Sequence, residues 1–336
     1  MSDEILYVCH SGIDYLQDGL YNGLVSLLGK TKVMDWPRQA RFHEPINASI
    51  ISNLGFYAQA EPVRPKTTWG LRRQLRSGRF GIVVVAAGRK GAFAVWCDLM
   101  DASRHLPAVF VDGGDHIELA GQLAWERKVK LRKTVLTRRN FDLVFKREHR
   151  GQETNHPQIL PISFCLPENY YQPGQSQTKM REVVFWGGES SASRIAAIHK
   201  LKGVRDFERN RSSIFRNQDY LRELATTKVC LSFWGCGDDT LRYWEIACVG
   251  SMLLAQKPRS PVLNNFIHLQ EAVFAQDDLA NLVAQVNYYC EHDDEREKIA
   301  CAGRNKFLKC HTTTARARYF LDSLNDRKLF SRPNFQ

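Results

Sequence analysis

Residues 232–255, SFWGCGDDTLRYWEIACVGSMLLA, carry the clearest local pattern in the chain. The apolar run Val229–Phe233 enters Gly235-Cys236-Gly237. Asp238, Asp239 and Thr240 then open a helix over Leu241–Val249, and Met252–Ala255 is apolar again. Strand, glycine loop, helix and strand form the repeating unit of an α/β sheet. The glycines permit close backbone approach, and a helix N-terminus offers unpaired N–H groups and a positive dipole end to a phosphate. Arg242 and Glu245 stand three apart and share a helix face near that end. An arginine there suits a diphosphate as a fixed, bidentate donor, and a glutamate suits the vicinal diol of a ribose. The same spacing also reads as ordinary architecture, with Asp238 or Asp239 as the helix cap and Arg242–Glu245 as a surface pair.

The alternation extends in both directions. Upstream, Glu182–Trp186 is a strand ending in Gly187-Gly188, Ala192–Leu201 and Tyr220–Thr226 are helical, and Leu279, Leu282, Val283, Val286, Tyr289 and Cys290 begin a helical tail. The first half repeats the scheme. Ile5–Val8, Lys32–Asp35, Gly81–Ala87, Ala108–Val111, Leu143–Phe145 and Ile159–Ile162 are short, apolar and largely β-branched, as buried parallel strands are. Leu16, Leu20, Leu24, Leu27 and Leu28 recur at helical spacing up to a capping Gly29. The tract PENYYQPGQSQTKM at 167–180 lacks apolar periodicity. The expectation is an α/β chain of two Rossmann-like domains, 1–168 and 181–336, joined by a linker at 169–180, with functional loops at the carboxyl ends of the strands and a cleft between the halves.

The chain has 336 residues, a net charge of +11, 43% hydrophobic and 25% charged residues. These proportions exclude a disordered or fibrous protein, and no apolar run approaches the roughly 18 residues of a spanning helix. The acidic start MSDEILYVCH is neither a signal nor a transit peptide. Nine scattered cysteines without a CxxC argue against disulfides or zinc and for a reducing, cytoplasmic compartment. The charge is localised. Residues 64–90 carry eight basic and no acidic residues, among them Arg72, Arg73 and Arg76, and 125–150, with Lys146 and Arg147, have a net charge of +7. Everything else is net −4. Both segments lie in the first half, which points to a polyanionic partner; the plainer reading is two solvated helix faces.

The run Gly237-Asp-Asp-Thr-Leu-Arg-Tyr-Trp-Glu-Ile-Ala-x-x-Gly250 resembles the donor-site helix of GT-B glycosyltransferases, especially their spore-maturation-type and exostosin-like branch. The opening DYLQDGLYNGLVSLLGKTKVMDWPR, FVDGGDH at 110–116, VFKRE at 144–148 with PISFCLP, and the closing EREKIACAGRNKFLKCHTTTARARYFL resemble further stations of that group in the same order. The resemblance implies a GT-B fold and transfer of a sugar from a nucleotide sugar held by the second domain to an acceptor held by the first. Carried over by position, Glu245 holds the ribose. Arg242, the glycine loops at Gly187, Gly188, Gly235 and Gly237, the segment Asp238, Asp239 and Thr240, and Arg194 face the diphosphate. No cofactor or metal is implied, because positive side chains and a helix dipole stabilise the departing diphosphate. One departure stands out. Where retaining members carry a second glutamate eight positions before the first, this chain has Gly237, so the resemblance does not assign stereochemistry.

An inverting transfer needs a general base for the acceptor hydroxyl. Asp112 and Asp115 follow the strand Ala108–Val111, and His10 follows Ile5–Val8, so these are the catalytic candidates. The simpler readings are an Asp-Gly turn and a loop hydrogen bond. The basic first half suggests an anionic acceptor, with a surface or lipid-linked glycan at a membrane face slightly ahead of DNA bearing a hydroxymethylated base. The competing class is a non-catalytic nucleic-acid-binding protein with a decayed donor site. A dinucleotide oxidoreductase is disfavoured, because no GxGxxG follows a strand.

Overall fold

A computed structural model describes residues 2–44, 60–149, 158–171, 178–209 and 217–331. It divides into two compact units, one of Met1–Pro167 with Thr313–Gln336 and the other of Glu168–Thr312. Residues 172–177 of the expected linker and Arg150 of the second basic segment lie outside the described residues.

The first unit is built on β1 (Ile5–Val8), β2 (Val33–Trp36), β3 (Ile82–Val85), β4 (Ala108–Asp112), β5 (Leu143–Lys146) and β6 (Ile159–Pro161). They form one sheet in the order β2-β1-β3-β4-β5-β6, parallel throughout. ILYV and IVVV are buried at every position because helices cover both faces, which is why these strands read as continuous apolar runs. Helices Thr68–Arg76, Lys90–Leu99 and Val129–Arg138 pack on one face through Leu71, Phe93, Trp96 and Val135. Helix Tyr15–Leu28 covers the other through Leu16, Leu20 and Leu24. Its N-cap, Asp14, accepts a hydrogen bond from the Gln17 amide, and Gly29 closes it at φ 86°.

The terminal helix Thr313–Asp326 belongs to this first unit, which corrects the expected second-domain boundary at 336. Ala317, Phe320, Leu321 and Leu324 complete the core beneath Tyr15–Leu28. The approach is close enough that a Cβ on Gly23 would lie 2.0 Å from the Thr313 carbonyl oxygen, and one on Gly19 would lie 2.9 Å from Cys165 Sγ. The glycines of the opening motif therefore make room for the Cys165 segment and for the terminal helix.

The second unit holds β7 (Arg181–Phe185), β8 (Phe207–Arg209), β9 (Thr227–Ser232), β10 (Met252–Gln256) and β11 (Val273–Ala275) in the order β11-β10-β9-β7-β8, again parallel. In both sheets the order reverses beside the first strand, between β1 and β3 and between β7 and β9. Ligands in open α/β sheets bind at the carboxyl ends of the strands at such a switch point. All nine cysteines are free thiols, and among the described residues no helix is long and apolar enough to cross a membrane.

Candidate functional site

At the β7/β9 switch point two loops lie side by side, Trp186–Ser191 after β7 and Phe233–Thr240 after β9. Ser191 joins them. Its hydroxyl donates to the Trp234 carbonyl oxygen (2.6 Å) and caps helix Ala192–Leu201 by accepting from the Arg194 amide (3.2 Å). Gln256, at the end of β10, adds a third attachment. It accepts from the Trp234 amide (3.3 Å) and the Ser193 hydroxyl, and donates to the Asp277 carbonyl oxygen (2.9 Å).

Over this platform sit two guanidinium groups. Arg242 lies 5.2 Å and Arg194 5.8 Å from the centroid of the Phe185 ring, the last residue of β7. A Cβ on Gly187 would lie 2.9 Å from both Arg242 Nη atoms, and one on Gly235 would lie 2.7 Å from Arg194 Nη2. The glycines let both guanidinium groups rest directly on the backbone. Gly188 is open on its side-chain side and accepts from Arg194 Nη1 at its carbonyl (3.3 Å), while the Gly237 carbonyl accepts from the Gly235 amide (2.9 Å) and closes the loop. The two arginines differ in saturation. Arg194, also bonded to the Ser190 hydroxyl (2.9 Å) and the Phe233 carbonyl oxygen (3.3 Å), is buried and internally satisfied. Arg242 Nε is buried with no hydrogen-bond partner. A buried guanidinium donor without an acceptor is unfavourable unless an anion arrives.

Glu245 lies one turn further along helix Leu241–Val249, 5% exposed. Its Oε1 accepts from the Tyr170 hydroxyl (3.0 Å) and its Oε2 from the Tyr220 hydroxyl (2.9 Å). Burial pushes its carboxyl pKa upward, against the opposing pull of Arg242 and the two tyrosines. A carboxylate has about four lone-pair positions, so two remain for a diol.

Asp238 and Asp239 do not face outward with the loop. Asp238 is buried and held by Arg259, whose Nε and Nη2 donate to it at 3.0 and 2.7 Å, while that guanidinium stacks 3.8 Å from the Trp234 ring. Asp239 accepts from Trp244 Nε1 at 2.6 Å. Both carboxylates anchor the loop to its own unit. This corrects their placement toward a diphosphate and their assignment as helix cap. The N-cap is Thr240, whose hydroxyl lies 3.0 Å from that of Ser232 and makes no capping bond, while its carbonyl accepts from the Tyr243 amide at 3.1 Å.

In the first unit, His10 lies in the loop after β1, at the β1/β3 switch point. Its Nδ1 accepts from the Gly12 amide (2.9 Å), so the neutral ring carries its proton on Nε2, which is buried and unpartnered. Burial lowers its pKa, with Asp14 opposing and Arg89 and Arg41 assisting. Through Nε2 the ring is a hydrogen-bond donor and not the expected base. Asp112 is 1% exposed, accepts from the Gly114 and Ala120 amides (3.2 and 2.9 Å), and pairs with Lys146 at 3.2 Å. Asp115 is half exposed and pairs with Arg147. Of the two aspartates only Asp115 is open to solvent.

Lys146 and Arg147 are corrected outright as acceptor-facing charges. Lys146 is fully buried and donates to the His116 carbonyl oxygen (2.6 Å). Arg147, 2% exposed, bonds Gly113 and Glu148 and stacks on Phe164. Their place in a basic stretch concealed a role as internal ties for the loop after β4. Arg73 and Arg76 are exposed, and Arg72 is half-buried with its Nε donating to the Asp98 carbonyl oxygen (2.9 Å). Tyr170, Tyr220 and Phe185 escaped the sequence reading. Phe185 lay within the strand read over Glu182–Trp186 but nothing singled it out, and nothing local pointed to the tyrosines.

A model of a family described as glycosyl transferase-like matches residues 178–322, which include this cluster. Anabaena Alr3699/HepE, solved in complex with UDP and glucose, superposes with a TM-score of 0.64 at 10% identity over 96% of this chain and 99% of that one. A glycosyltransferase from Rickettsia africae ESF-5 gives 0.60 at 10% identity over 97% and 98%. An alpha-glucosyltransferase in complex with UDP-glucose and DNA containing an abasic site gives 0.56 at 10% identity over 96% and 99%. No curated protein matches the sequence. At this identity the likeness defines the fold, two Rossmann-like parallel-sheet domains of the GT-B glycosyltransferase type.

Proposed function

We propose that the protein is a glycosyltransferase that takes a sugar from a nucleotide-sugar donor bound by the second unit. The observation that carries this reading is Arg242, stacked on Phe185 above Gly187 at the switch point, with a buried donor nitrogen that no protein acceptor satisfies. A diphosphate supplies that acceptor. As the sugar leaves, the growing charge on the diphosphate is met by Arg242 and Arg194, held over the tied loops beforehand, and by the positive dipole end of helix Leu241–Val249. Glu245 takes the ribose hydroxyls on its two remaining lone-pair positions. In this reading the reaction needs no metal, and the site is cytoplasmic. The sequence motifs favour the spore-maturation-type and exostosin-like branch.

For the acceptor, the basic first unit supports an anionic molecule. A surface or lipid-linked glycan is favoured slightly over a modified DNA base, the latter supported by the fold shared with a DNA-bound alpha-glucosyltransferase. His10, through Nε2–H, and Asp115 are the groups assigned to hold and deprotonate it.

The test is a titration of UDP, GDP, dTDP, CDP and ADP against wild type and Arg242→Ala, with and without a metal chelator. One diphosphate should bind wild type regardless of chelator, and the variant about 10- to 150-fold more weakly, the loss of one charged hydrogen bond. Equal binding by both proteins, or none by wild type, sinks the assignment.

A further inference from the structure

We propose that the first unit docks on an anionic lipid bilayer through the N-terminal ends of three neighbouring helices. Helices Thr68–Arg76, Lys90–Leu99 and Val129–Arg138 lead into β3, β4 and β5 of a parallel sheet, so all three run the same way. They share one face of that sheet, where Leu71, Phe93, Trp96 and Val135 meet in a single core. Their first turns therefore lie together beside the carboxyl edge of the sheet.

Those first turns carry the wrong charge for an isolated protein. A helix N-terminus is the positive end of the dipole and favours acidic side chains, yet none of the three has an acidic residue in its first turn. Lys66 stands just before the first helix, Lys90 opens the second, and Lys128 and Lys130 flank the start of the third. All four are exposed, and none forms an ion pair among the described residues. Cations set on three parallel positive helix ends raise the electrostatic energy of the free protein, and an anionic surface lowers it.

Apolar side chains at the same ends select the kind of surface. Trp69 and Val129, in the first turns, are 67% and 62% exposed. Leu71 and Leu75 already fill the buried side of helix Thr68–Arg76, so Trp69 is left on the outer side with Arg73 and Arg76, at spacings of four and seven residues. Tryptophan settles at the headgroup level of a bilayer, and lysines beside it gain from anionic lipid. A duplex offers phosphates but nothing to cover an exposed tryptophan and valine on its outer side. The bilayer matches both halves of the pattern.

This docking stands independently of the donor-site reading. The test is flotation of the full chain with vesicles of phosphatidylcholine alone and of phosphatidylcholine with phosphatidylglycerol. Wild type should float with the anionic vesicles only. The double variant Lys128→Ala/Lys130→Ala should bind them about 30-fold more weakly, and Trp69→Ala several-fold. Arg104→Ala is the control. That side chain is 74% exposed but follows the C-terminal end of its helix, at the opposite edge of the sheet, so it should bind as wild type. Nucleoside diphosphate affinity should be unchanged in every variant, which separates this result from the donor assignment. The proposal is overturned if wild type does not prefer anionic vesicles, if Arg104→Ala loses as much as the double variant, or if salt-sensitive duplex DNA binding exceeds vesicle binding.

Discussion

Glu245 shows how burial and bonding set one residue's behaviour. Its two tyrosine partners and Arg242 favour the carboxylate, but removal from water outweighs them and the pKa rises. The sign of the stability effect follows. At pH below the ordinary carboxylate range the group is protonated in both folded and unfolded chains and costs nothing. As pH climbs from the ordinary carboxylate pKa toward the raised folded one, the unfolded chain releases its proton first and stability falls, until the folded chain has ionised as well. Glu245→Gln removes this linkage, so melting temperatures of wild type and variant should diverge as pH rises above the ordinary carboxylate pKa, with the variant gaining relative to wild type. A constant offset across that range would mean that the tyrosines hold the group ionised throughout. The pairing itself was not legible in the sequence. Arg242 and Glu245 announced themselves by spacing, but Tyr170 and Tyr220 lie 75 and 25 positions away from Glu245. Asp238 was misread for the same reason, its partner Arg259 being 21 positions downstream and in a different loop.

At the scale of elements, the strands were largely legible, because fully buried parallel strands leave short, continuous, β-branched runs. β8, FER, and β11, VFA, were not, because neither three-residue edge strand was picked out of its surroundings as an apolar run, as Ile159–Ile162 was for β6. The helix Tyr15–Leu28 was legible as an apolar stripe, but its second face was not. Gly19 and Gly23 interrupt a helix that their own propensity weakens by about 1 kcal/mol each; the close approach of Cys165 explains the first and the crossing with Thr313–Asp326 the second. Gly23→Ala should therefore destabilise the protein despite improving propensity. Its Cβ would meet a backbone carbonyl at 2.0 Å, which no rotamer change relieves, so the two helices must separate. The net loss should be about 2 kcal/mol in urea unfolding. Gly19→Ala meets the Cys165 side chain instead, at 2.9 Å, and should cost less. Equal midpoints for Gly23→Ala and wild type would show that the helices separate without penalty.

The whole molecule is two units of unequal continuity. The second, Glu168–Thr312, is one unbroken stretch and contains Phe185, Gly187, Arg194, Gly235, Arg242, Glu245 and both tyrosines. The first is closed only when the chain returns. The sequence reading placed the terminal helix with the second domain because helical periodicity reveals that a face exists without naming what covers it. Its buried contributors, Ala317, Phe320, Leu321 and Leu324, share one core with Leu16, Leu20 and Leu24, and Phe330 beyond it packs by Gly81. Losing even two or three large side chains of this kind costs about 2–5 kcal/mol each. That is comparable with the entire stability of a domain, about 5–15 kcal/mol. A chain ending at Thr312 should consequently lose the first unit and keep the second. Hydrogen exchange on the truncated protein should show β1–β6 unprotected and β7–β11 protected. If the second unit alone holds the donor, as we propose, the diphosphate that binds the full chain should bind the truncated one with affinity within a few-fold, because every residue that stacks or bonds in that cluster is still present. Simultaneous loss of protection in both sheets would show that the second unit depends on the first for its folding. Retained protection with lost binding would move part of the donor site into the first unit.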